Sequence, residues 1–144
     1  MSEFAFLPVA VISLVIKNDK ILLLKRKNTD WMNWYWWLPG GRLDKGESMT
    51  AWAIRELQEE VWIEVKASEI LGKSLIHHKD ERWERLYFII LVDNYTGIPT
   101  NKEEEKSEWI EWFDLENLPK EITPQVTICL DAILNKKQFV EFWY

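Results

Sequence analysis

The sequence predicts an α/β fold, a mixed sheet with helices over its faces, and three observations carry that prediction. Short Val/Ile/Leu-rich runs recur along the chain, two longer segments have helical apolar spacing, and the strands are interspersed with those helices rather than segregated from them. At 144 residues and 47% apolar composition, residues 1–144 read as one domain, long enough to bury a core.

Phe4–Ile16 reads as a strand, Asn18-Asp19 as a tight turn, and Ile21–Leu24 as its hairpin partner, ending in the basic Lys25-Arg26-Lys27. Asn28–Trp37 is an aromatic-rich loop that leads into Leu38-Pro39-Gly40-Gly41. Glu47–Val61 has helical spacing, opened by Gly46-Glu47-Ser48. Ile70–His77 and Arg85–Val92 read as strands joined by a turn over His78–Glu84. An acidic loop over Gly97–Ser107 precedes an alternating strand at Glu108–Phe113, and Thr123–Asn135 closes the chain as an amphipathic helix.

Composition excludes several classes. No apolar run approaches the ~20 residues of a membrane span, and Met1-Ser2-Glu3 lacks a basic leader, so no membrane association is expected. Cys129 is the only cysteine; an internal disulfide is impossible, and a reducing cytoplasm is the expected setting, with Cys129 a core thiol. A net charge of −6 disfavours nucleic acid as a partner. The expected partner is a small molecule, and the expected state a monomer or homodimer.

One segment carries the chemistry. From Gly41 the chain reads G-x5-E-x7-R-E-L-x-E-E-V-W-I: Gly41, Glu47, Arg55, Glu56, Leu57, Glu59, Glu60 and Ile63. That pattern would arise by chance less than roughly once in a hundred thousand chains of this size. At about 100° per residue, Met49, Thr50, Ala53, Ile54, Leu57 and Val61 gather on a core-facing arc. Glu56, Glu59 and Glu60, related by i+3 and i+4, crowd an adjoining strip, with Glu60 at the edge of the apolar stripe. Like charges beside a core repel and lose hydration; a hard divalent cation such as Mg²⁺ or Mn²⁺ relieves both. A solvated acidic face is the bland alternative, and the preceding Gly40-Gly41 turn, through which backbone can approach a ligand, weighs against it.

These residues resemble the Nudix box, G-x5-E-x7-R-E-U-x-E-E-x-G-U with U a bulky aliphatic residue, and the chain is similar to small Nudix hydrolases over nearly its whole length. Trp36 with Leu38-Pro39-Gly40-Gly41, Lys25-Arg26 and Glu108–Phe113 add weaker flanking matches. The resemblance implies an α/β/α sandwich and Mg²⁺-dependent hydrolysis (Mn²⁺ an alternative) of a nucleoside diphosphate linked to another group. A nucleoside triphosphate, oxidised ones included, is the leading substrate; ADP-ribose or a nucleotide sugar is the alternative, and a nucleotide-binding regulatory domain with impaired turnover is a reading of another class. Carried onto this chain, the resemblance makes Gly40 (through its carbonyl), Glu59 and Glu60 metal ligands. Glu56 shares in metal binding or takes the proton from water. Arg55 and Glu47 brace the loop and helix, which gives Arg55 an indirect catalytic value. Arg26 and Gly41 are candidate substrate contacts. A further metal-binding Glu, six residues before the late-strand Trp109, would be Glu103, with Glu104 and Glu105 adjacent.

The sequence departs from the pattern in its tryptophans, ten against five glycines. The last glycine of the box, which ends the helix in a left-handed conformation, is Trp62 here. Trp34 and Trp37 stand where relatives often carry Gly, and Trp52 replaces a small residue on the carboxylate side, where its ring would crowd the site or offer a stacking face. One hypothesis is that the source reads UGA as glycine while this chain was written with tryptophan. His77-His78 suggest surface or substrate-side structural roles, since further zinc ligands at suitable spacing are absent.

Overall fold

A computed structural model describes residues 3–143. Met1 and Ser2, part of the N-terminal reading above, lie outside the described residues, as does Tyr144. The elements run β1 (Val9–Lys17), β2 (Lys20–Arg26), β3 (Trp36–Trp37), β4 (Gly40–Arg42), α1 (Met49–Val61), β5 (Ile70–Lys79), β6 (Glu84–Val92), β7 (Ser107–Asp114), α2 (Pro124–Leu134) and β8 (Phe139–Trp143). No described helix is long and apolar enough to cross a membrane.

The sheet is mixed, in the order β3-β2-β1-β6-β5-β8, with β4 on β1 and β7 on β2. β1 runs parallel to β6 and antiparallel to β2, and the hairpin turn is Asn18-Asp19, both at positive φ (52° and 59°). A two-residue loop with that backbone suits the twist of a hairpin, and Asn and Asp tolerate it better than other side-chain-bearing residues.

Period-2 alternation divides the buried side chains between the two faces. Ala10, Ile12, Leu14, Ile21, Leu23, Tyr87 and Ile89 pack with Val126, Cys129, Leu130 and Ile133 of α2. Val11, Val15, Leu22, Leu24, Ile90 and Val92 pack with Trp52, Ala53, Leu57 and Val61 of α1. Both faces are therefore covered, and the architecture is the expected α/β/α sandwich.

Several boundaries move for identifiable reasons. β1 starts at Val9 rather than Phe4; Phe4 and Phe6 are exposed, and Pro8 cannot donate to a ladder, offering instead its carbonyl to the Leu86 amide. α1 starts at Met49 because the Ser48 side chain caps it, accepting from the Ala51 amide at 3.1 Å. The turn expected over His78–Glu84 shrinks, since pairing continues to Lys79 opposite Glu84. β8, parallel to β5, was not anticipated.

Trp62 ends α1 in the left-handed region (φ 62°, ψ 35°), as the departure from glycine implies, and its amide donates to the Leu57 carbonyl. Trp34 also has positive φ (72°), whereas Trp37 lies in β3 opposite Leu24 and makes no such demand. Trp52 points into the core, with Arg55 stacked over its ring at 4.1 Å, and so does not line the carboxylate site. Cys129 is buried, which pushes its thiol pKa up and keeps it unreactive.

Candidate active site

Two glycines bring the β4 loop against α1. A Cβ on Gly40 would fall 2.2 Å from the Val11 carbonyl oxygen, so only glycine allows β4 to lie this close to β1. A Cβ on Gly41 would fall 2.9 Å from Oε1 of Glu56. The glycines thus serve the approach of a strand and a carboxylate as well as any ligand.

The Gly40 amide donates to Oε2 of Glu60 at 2.9 Å, which fixes that carboxylate at the edge of the core. Burial, then the neighbouring Glu56, hold the Glu60 carboxyl well above the usual carboxylate range, and the Gly40 bond only partly offsets them. Glu56 is raised too, by burial first and then by Glu59. Glu56 and Glu60 are close enough that the charge of Glu56 is the second cause, after burial, of the rise at Glu60.

Glu59 lines the same cleft as this pair but is engaged by Arg55. Its Oε1 accepts from Nη1 of Arg55 at 2.6 Å, while Nε of Arg55 donates to both oxygens of Glu47 at 2.9 and 3.1 Å. Arg55 therefore ties the segment before the helix to its third turn. Among the described residues no three acidic, His or Cys side chains form a ready metal cage, because Glu59 is held by Arg55.

Glu103 does join the pair. The Lys102 amide donates to the Glu60 carbonyl at 2.9 Å, docking the acidic loop on the end of α1, and Glu103 lines the cleft and raises both Glu56 and Glu60. Glu104 and Glu105 are exposed. The donors gathered here are all oxygens, and a cation would relieve the repulsion that raises Glu56 and Glu60, so the residues fit a hard divalent ion.

Cationic side chains line the same cleft, of about 710 Å³. Arg26, at the end of β2, donates from Nε to the Trp31 carbonyl at 3.0 Å, its guanidinium 5.3 and 5.6 Å from the Trp31 and Trp37 rings. Burial lowers its pKa, against the opposing fields of Asp30 and Glu60. Sequence reasoning missed Arg85, Tyr87 and Lys106, which also line the cleft. The available signal was Arg85 as the last charge before the apolar run Leu86–Val92. His77 and His78 are elsewhere: His77 pairs with Glu84 at 2.8 Å, and His78 is buried beside Tyr87 and Phe142.

A mixed sheet between two helices, with carboxylates of one helix and arginines lining one cleft, defines a candidate site for a polyanion held with a cation. The NUDIX domain family model matches residues 6–129. An ADP-ribose pyrophosphatase of Methanocaldococcus jannaschii is 34% identical over 112 residues, 78% of this chain and 64% of that protein. An 8-oxo-dGTP diphosphatase of Escherichia coli (strain K12) is 32% identical over 94 residues, 65% of this chain and 71% of that protein. In structure, a MutT NUDIX hydrolase from Burkholderia pseudomallei superposes with a TM-score of 0.77 at 26% identity, covering 88% of this chain and 98% of that one. The chain belongs to the Nudix family. It spans about two thirds of the length of the archaeal relative.

Proposed function

We propose that this protein is a divalent-cation-dependent pyrophosphohydrolase that cleaves a phosphoanhydride of a nucleoside diphosphate linked to another group. One observation carries the reading: the Glu56–Glu60 pair and Arg26 line one cleft, so groups suited to a cation and to an anion share it. Family membership supports it.

Glu56, Glu59, Glu60, Glu103 and the Gly40 carbonyl are the groups that would hold Mg²⁺ or Mn²⁺. When bound, such an ion neutralises phosphate oxygens and lowers the pKa of water. The chain's own residues do the rest. Glu56, beside Gly41 and with its pKa raised, is suited to accept a proton from attacking water. Arg55 holds Glu47 and Glu59 and so positions the carboxylate strip without touching substrate. Arg26 is placed to hold a phosphate oxygen, its charge partly desolvated and therefore strongly felt.

A nucleoside triphosphate, oxidised or not, is the leading substrate, as the bacterial diphosphatase relative suggests. The archaeal relative favours a second reading, ADP-ribose, which presents the same diphosphate to the same groups. Product release from a panel of both classes with Mg²⁺, set against Glu60→Gln, tests the proposal. Turnover abolished by the substitution supports it. Tight nucleotide binding without turnover of any substrate would instead make the protein a nucleotide-binding regulatory domain.

A further inference from the structure

We propose that Arg85 is a second phosphate anchor, holding the phosphoryl group at the end of the cleft away from the paired carboxylates. The inference deepens the reading above and rests on it for the identity of the anion.

Arg85 is the second residue of β6, and side chains on one face of that strand, Arg85 and Tyr87, line the same cleft as Glu56 and Glu60. Its Nε is shut off from solvent and has no hydrogen-bond partner. A buried guanidinium donor left unmade is costly, and almost every such group in a folded protein has a partner. Among the described residues no carboxylate forms an ion pair with Arg85, although ion pairs are made by Arg55, Lys27 and Lys137. One side of its guanidinium is covered by Trp83, whose ring centroid lies 4.1 Å from Cζ.

The other cation of this cleft is differently placed. Arg26 already donates to the Trp31 carbonyl and feels the charge of Glu60. The field of Arg85 is felt instead at His78 and Tyr87. In the sheet Gly40, bonded to Glu60, pairs with Ile12, whereas Tyr87 pairs with Ala10 and Leu86 with Val9, so Arg85 lies further along the strands from the carboxylates. A single phosphate beside the carboxylates would engage Arg26 and leave the cleft side of the Arg85 guanidinium without an anion. A diphosphate has a second anionic group to bring to it, and a guanidinium fork matches phosphate oxygens in two directions. The ligand chemistry is thus a diphosphate rather than a monophosphate.

Calorimetric titration of pyrophosphate and, separately, of orthophosphate, both with Mg²⁺, tests the assignment. Arg85→Met should weaken pyrophosphate binding about ten- to a hundredfold, the loss expected of a charge-assisted hydrogen bond, and leave the weaker orthophosphate binding almost unaltered. Arg85→Gln, of similar length and polar, should show the same selective loss and serves if the Met variant does not fold. With a nucleotide that the wild type hydrolyses, KM should rise about tenfold with little change in kcat. Wild-type pyrophosphate affinity in both variants would overturn the assignment, and so would equal losses for the two anions. If wild-type protein turns over no nucleotide yet binds pyrophosphate through Arg85, the hydrolase reading fails and the anchor stands. If turnover depends on Glu60 but pyrophosphate affinity ignores Arg85, the anchor alone fails.

Discussion

The Gly40 amide and the Glu60 carboxylate, 20 residues apart, meet at 2.9 Å and join the β4 loop to the last turn of α1. That bond holds a carboxylate where burial alone would drive it off, and so pre-forms one wall of the cleft. Glu60→Gln keeps an acceptor for Gly40 but removes the charge. Turnover should fall by at least about a hundredfold while circular dichroism stays native, because the loss is in cation binding. Turnover close to wild type would remove Glu60 from the site.

Arg55 bridges Glu47 and Glu59 from the outer side of α1, where water screens it. Arg55→Ala should therefore leave the melting temperature nearly unchanged. Its effect should appear in function, with Mn²⁺ affinity and kcat each reduced about tenfold as Glu59 loses its orientation. Steady-state kinetics beside a melting curve checks this; a large loss of stability with unaltered kcat would make Arg55 purely structural.

Two tryptophans sit where a side chain is penalised, Trp62 at φ 62° and Trp34 at φ 72°. Each Trp→Gly substitution should stabilise the protein by on the order of 1 kcal/mol, or roughly 2–4 °C in melting temperature. The gain should be smaller at Trp62, whose ring holds Lys102 Nζ at 4.7 Å, than at Trp34. Trp37, without positive φ, should gain nothing by this mechanism. If UGA is read as glycine in the source, codons 34 and 62 will be UGA, and UGG at both would end that hypothesis.

The raised carboxyl of Glu60 also sets a pH dependence. Its folded pKa lies above the unfolded value, so its contribution to stability is fully present below about pH 4.5 and is lost as pH rises through the folded value. In metal-free protein, Glu60→Gln should therefore match wild type at low pH and melt higher at neutral pH. Melting curves of both proteins across pH 4–8 measure it; parallel curves would mean that Glu60 is not desolvated.

Much of this was legible in the sequence because local rules and burial agreed. Periodicity placed α1 and β2, the Asn18-Asp19 turn fixed the hairpin, and the spacing of Glu56 and Glu60 put them on one strip. The rest depended on long-range pairing. β8 takes part in the sheet only through β5, and its short segment carries no period of its own beyond five residues. Glu59 shares the helical strip with Glu56, yet Arg55 at i−4 captures it, a competition that helical angle alone does not decide. Trp52 lies one turn before Glu56 but rotates into the core, because burying an indole outweighs leaving it beside carboxylates. Arg85 joined the cleft lining only when β1 and β6 aligned in parallel to bring Tyr87 beside Ala10.

The central claim is tested most directly by anomalous scattering from crystals soaked in Mn²⁺. A manganese peak between the carboxylates of Glu56 and Glu60, next to Gly40, is the result expected. Saturating Mn²⁺ with no peak there, and the two carboxylates apart in solvent, would contradict it.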